Sequence, residues 1–136
     1  MILDQQIRAD ISEQWDAVKR LCRDSHRQYQ TVGAMINETP PESFYNLPFL
    51  LAYAVLDQVL AELVEQGNIA CPGKRPLLGQ KMAASQNVLP WQDYALVDQG
   101  KTARNDLAHK ATLLPKRECF RFIDAIETEL TAWQVL

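Results

Sequence analysis

The sequence predicts an all-α fold, a bundle of four to five helices forming one domain over residues 1–136. Apolar residues recur every three or four positions over most of the chain, the period of amphipathic helices. Clusters of proline and glycine punctuate these segments. No run alternates apolar and polar residues over the length of a strand between turn signals, so a sheet is not expected. The composition, 47% apolar and 23% charged, is that of an ordinary soluble domain, and 136 residues can bury a core without disulfides or a structural metal.

Taken in order, Ile7, Ile11, Trp15, Val18, Cys22 and, less regularly, Tyr29 and Val32 mark an amphipathic helical region from about Asp4 to Met35. It reads as one helix, or as two with a bend near Asp24-Ser25. Its other face carries Arg8, Lys19, Arg20, Arg23 and Arg27, a solvated surface. Asn37 to Ser43 is a loop, because the consecutive prolines Pro40 and Pro41 remove backbone donors and push their predecessors out of helical geometry. Asn46, with Pro48 just inside, starts the second helix and Gly67 stops it. That helix is apolar around most of its circumference and belongs at the centre of the bundle. Asn68 to Arg75 is a turn-rich connector, and Pro76 to Ser85 is at most a short helix. Pro90 opens the next helix, which runs through Trp91, Tyr94, Leu96 and Val97. Gly100 within it implies either a bend or a close helix contact. Pro115 ends that element and opens the last helix, whose broad apolar stripe is Cys119, Phe120, Phe122, Ile123, Ile126, Leu130 and Trp133.

Several functional classes are excluded or disfavoured. The N-terminal residues Met1 to Arg8 resemble neither a secretory signal nor a transit peptide. The apolar stretch Leu47 to Val64 carries Asp57 and Glu62 in its body, so it reads as a core helix and no membrane association is expected. Cys22, Cys71 and Cys119 are odd in number and far apart, which suits reduced, structural thiols and a cytoplasmic protein. Five scattered glycines form no phosphate-cradling loop. Lone cysteines with only His26 and His109 form no zinc site, so no metal or other cofactor is expected. Trp15, Trp91 and Trp133 read as core or interface residues rather than a base-stacking platform.

Charge is unevenly distributed. The net charge is −3, yet residues 100 to 121 hold six cations against Asp106 and Glu118, a local balance of +4 on an otherwise acidic chain. Such a patch suits a phosphate-bearing ligand. It contains the hexapeptide Arg104-Asn105-Asp106-Leu107-Ala108-His109. On a helix, Asn105 and His109 are about 40° apart and share a face, while Arg104 is about 140° from His109 and roughly 7.5 Å along the axis. Arginine is long enough to reach across. Converging on a phosphodiester, Arg104 neutralises phosphate oxygens, Asn105 orients them and His109 transfers protons. Lys101 and Lys110 are placed to meet a nucleic-acid backbone. Asp106 is either a surface residue or steers His109, and Asp57 is either at a polar helix edge or a partner for Arg104.

The hexapeptide resembles the R-N-x-x-x-H form of the motif of the HEPN superfamily (higher eukaryotes and prokaryotes nucleotide-binding), and the order of helices around it is similar over nearly the whole chain. The resemblance implies a HEPN-like helical bundle acting as a homodimer, with Arg104 and His109 as the catalytic pair and Asn105 as the polar residue beside them. It implies a metal-independent endoribonuclease. One protomer offers a single motif histidine, whereas cleavage by a 2′-hydroxyl needs a base and an acid, and two His109 side chains across a two-fold axis would supply both. By analogy the protein would be the toxin of a toxin–antitoxin or other defence system, partnered by a nucleotidyltransferase-type antitoxin. The alternative from a different class is a non-catalytic HEPN-like module that binds a nucleotide or a protein through the same cleft.

Overall fold

The computed structural model describes residues 1–24, 28–31, 34–37 and 40–136, with side chains placed outside residues 24–39. Among the described residues five helices form the bundle: α1 (Gln5–Asp24), α2 (Asn46–Glu65), α3 (Leu78–Ser85), α4 (Tyr94–Lys110) and α5 (Lys116–Ala132). A 3-10 turn, η1 (Glu42–Tyr45), leads directly into α2. The bundle itself is all-helical, as the periodicity predicts.

The expected first element changes most. The helix stops at Asp24 instead of running towards Met35, and two short strands follow, β1 (Gln28–Thr31) and β2 (Ala34–Asn37), paired antiparallel with Gln28 opposite Asn37. Residues 23 to 28 are all polar, so a continuing helix would have no apolar stripe to bury, while Tyr29 and Thr31 are residue types that suit an extended chain. A sheet was not expected from the sequence, and this hairpin corrects that. His26, Arg27 and Val32 lie outside the described residues, as do Glu38 and Thr39 of the expected loop.

Helix α2 is the axis of the core. Phe49, Tyr53, Leu56, Leu60 and Leu63 are fully buried on it, and it packs most extensively against α1 and α5. It is long and apolar enough to cross a membrane by composition, and here it lies inside the bundle. Its stop is the one expected, because Gly67 takes φ +86°, a left-handed conformation that glycine adopts without strain. The inner face of α1 contributes Ile11, Trp15 and Val18, and that of α5 contributes Phe122, Ile123, Ile126, Leu130 and Trp133. Phe120 of the expected α5 stripe is only partly buried. At the α1–α5 seam, Trp15 Nε1 donates to Glu127 Oε2 at 2.8 Å and Lys19 Nζ meets the same oxygen at 3.1 Å. All three tryptophans pack within the bundle, with the rings of Trp91 and Trp133 edge-to-face at 4.7 Å. Cys71 and Cys119 are free thiols, Cys119 buried and Cys71 partly so.

Candidate active site

Helix α4 carries the hexapeptide and is unlike its neighbours: only Val97 and Gly100 are buried on it. A helix with so little apolar surface must be positioned by specific contacts, and it has one at each end and one in the middle. At the N-terminus, Asp93 caps the helix by accepting the Leu96 amide at 3.1 Å. The buried carboxylate of Glu129 on α5 accepts the amides of Gln92 at 2.8 and 2.9 Å and of Asp93 at 2.6 Å. These bonds, with the Trp91 amide donating back to the Leu89 carbonyl at 2.9 Å, explain why the helix begins at Tyr94 and not at Pro90.

At the middle, Gly100 lets α4 touch α2 and α5. A Cβ there would run into the Tyr53 hydroxyl and come within 2.7 Å of the Phe122 ring. Of the two outcomes expected for this glycine, the structure has the close contact within a continuous helix. At the C-terminus, Ala111 adopts φ 53° and its amide closes onto the Asp106 and Leu107 carbonyls. The chain then passes Asn46, buried at the start of α2, whose amide accepts the Leu114 N–H and donates to the Leu114 carbonyl, both at 3.0 Å.

Held in this way, α4 forms one wall of a groove of about 510 Å³ with Lys101, Arg104, Asn105 and His109. The opposite wall is Pro76 and Leu77 with the first turn of α3, and Asp57 of α2 also lines the space. Arg104 is half-buried, and its Nη1 donates to Asn105 Oδ1 at 3.3 Å. It makes no ion pair among the described residues, so its charge remains available to an anion. Burial pushes the Tyr53 hydroxyl well above the ordinary phenol range, Asp98 adds to this and Arg104 opposes it. Tyr53 is therefore a neutral donor, with Arg104 close enough to be felt. Asn105 and His109 are exposed. Among the described residues no three His, Cys, Asp or Glu side chains cluster as a metal site would need.

Four of the seven residues expected at the site thus share this groove wall, and Asp57 joins them from α2. Asp57 is not the partner of Arg104: its Oδ1 meets Lys81 Nζ at 2.5 Å, an ion contact between a nearly buried lysine and a half-exposed carboxylate. Lys101 is paired with Asp98 at 2.7 Å. Lys110 does not line the groove; it is 74% exposed and lies 4.0 Å from Asp106, with which it forms a weak surface pair. Asp98, an acid one to two turns before Arg104 on the same helix, is thereby taken by Lys101. Sequence reasoning missed Glu129 and the α3 wall. Neither has a local signature, since a capping carboxylate 36 residues away and a groove wall are created by packing. No family model, curated protein or solved structure matches the chain.

Proposed function

We propose that the chain is a HEPN-like domain acting as a metal-independent endoribonuclease, its active site completed by a second copy. The observation that carries the reading is the convergence of Arg104, Asn105 and His109, with Lys101, on one groove wall, Arg104 being free of any carboxylate among the described residues.

In this reading the substrate 2′-hydroxyl gives its proton to one His109 and its oxygen bonds to phosphorus. The bond from phosphorus to the 5′-oxygen breaks, and the second copy's His109 protonates the departing oxygen. The products are a 2′,3′-cyclic phosphate and a 5′-hydroxyl. Arg104 balances the charge that builds on the phosphoryl oxygens, and Asn105 orients them. Leu47 and Leu113 are exposed large apolar residues flanking Asn46 and Leu114, beside the His109 end of α4, and so support a contact between copies there. A cytoplasmic toxin held in check by a nucleotidyltransferase-type antitoxin is the biological setting that the motif resemblance suggests.

One observation favours a second reading, a module that binds nucleotides or a protein without cutting. His109 makes no hydrogen bond among the described residues, so a single chain does not fix its ring for proton transfer. Incubating the purified protein with RNA in EDTA separates the two. The enzyme reading expects cleavage, a cyclic phosphate end, and loss of rate by about 10²–10⁴-fold in His109→Ala. Arg104→Ala should also lose activity. Cleavage at a 2′-deoxy position would overturn the mechanism, a strict monomer in solution would overturn the shared site, and an uncut RNA that still binds would favour the module.

A further inference from the structure

We infer that the segment Lys74–Leu77, before α3, is the subsite for an unpaired nucleotide next to the reacting phosphate, which makes single-stranded RNA the substrate class. This deepens the nuclease reading and rests on it for the identity of the polymer. The two groove walls differ in chemistry. From Lys101 to His109 the α4 wall is a polar and cationic stripe running about 12 Å along the helix. Facing it, Pro76 and Leu77 are two contiguous apolar residues, and Leu77 is 71% exposed although it stands on the rim of a concave site. Lys74 and Arg75, both exposed, immediately precede them after a turn in which Gly73 takes φ 106°. The groove is therefore polar and cationic on the α4 side and apolar at Pro76 and Leu77, with the Asp57 carboxylate also lining it and the exposed Lys74 and Arg75 next in the chain beyond its rim.

An unstacked nucleotide matches that arrangement, because it presents an apolar base face and an anionic phosphate together. In a duplex the base faces are stacked inside and cannot reach Pro76 and Leu77. The volume, about 510 Å³, is that of a small-ligand site and not of a helix groove reader. With Arg104 on the reacting phosphate, a neighbouring base rests on Pro76 and Leu77, and its outer phosphate meets Lys74 and Arg75.

The experiment measures anisotropy of a short fluorescent RNA whose 2′-hydroxyls are all methylated, so that it binds without being cut. It is presented as a single strand, as a duplex, and as single strands with one abasic position moved along the chain. The variant Leu77→Ser keeps the charge and places a good capping residue before α3, so the fold is preserved. Wild type should bind the single strand about tenfold tighter than the duplex, and Leu77→Ser should lose about fivefold, as expected for one apolar contact. At one position base removal should cost wild type about fivefold and Leu77→Ser nothing more. Equal or tighter duplex binding, an unchanged Leu77→Ser, additive losses, or no binding at all would overturn the subsite. Cutting of unmodified RNA is scored separately. Coupling without cutting removes the nuclease and keeps the subsite, whereas cutting without coupling does the reverse.

Discussion

Tyr53 donates its phenolic hydrogen to the carbonyl of Val97 at 2.8 Å, one turn before Gly100, where α4 comes so close to α2 that only a glycine fits. The hydroxyl and the missing side chain define one contact between the core helix and the helix that bears the site.

Gly100→Ala should therefore destabilise the fold by about 2–3 kcal/mol through overpacking, outweighing the roughly 1 kcal/mol of helix propensity that alanine adds. Tyr53→Phe alone should cost about 1 kcal/mol. Because the hydroxyl is part of what an alanine would strike, the double variant should be more stable than the two losses added together. Urea denaturation of the four proteins measures that coupling, and strict additivity would argue against the contact.

Asn46 bridges both backbone groups of Leu114 and also donates to the Ser43 carbonyl at 3.0 Å. Asn46→Ala leaves these groups without their partner in a half-buried setting and should lower stability by about 2–4 kcal/mol. Asn46→Asp keeps the acceptor for the Leu114 amide while losing both donated bonds, so it should fall between wild type and alanine. Thermal melts of the three proteins give the order.

Lys81 and Asp57 should respond unequally to replacement. Lys81 has 8% of its side chain exposed and Asp57 has 37%, so removing the carboxylate strands a buried cation, whereas removing the cation leaves a carboxylate that water reaches in part, the paired Oδ1 alone being buried. Asp57→Ala should cost about 1–3 kcal/mol, less than for a fully buried pair because Asp57 is partly solvated, while Lys81→Met should stay within about 1 kcal/mol of wild type. Equal losses in chemical denaturation would contradict this asymmetry.

Burial, reinforced by the neighbouring Cys22, pushes the Cys119 thiol up from 9.0 to about 11. The thiol remains protonated in the fold over a range where an unfolded chain would ionise it. Its contribution is complete below pH 9 and is lost as pH rises from about 9 to about 11, by on the order of 2 kcal/mol. Over that window Cys119→Ala should lose less stability than wild type. At pH 8 the thiol should also be slow to react with an alkylating agent in the native protein and fast after unfolding.

The elements with strong local patterns were legible in the sequence. The bounds of α2 follow from Asn46, Pro48 and Gly67, and the α5 stripe from a regular apolar spacing after Pro115. The motif residues were legible for the same reason, since on a helix i+1 and i+5 share a face and the arginine at i is long enough to reach it, without knowledge of the fold. What escaped depends on partners distant in the chain. Asn46 reads as a helix start, yet its amide is used on Leu114, 68 residues on. Glu129 falls within the last helix and says nothing locally of the two amides it caps. Pro76 and Leu77 read as the start of at most a short helix, and become a groove wall only when α3 is laid beside α4.

Because Val97 and Gly100 are the only buried residues of α4, the side chains that would do chemistry contribute almost nothing to the core. Fold and activity can accordingly be lost independently. A single exchange at the exposed His109 would leave a protein that accumulates, purifies and melts like its parent. Mutational drift can silence such a domain without any selection against misfolding, and a healthy expression level says nothing about whether a given copy still works.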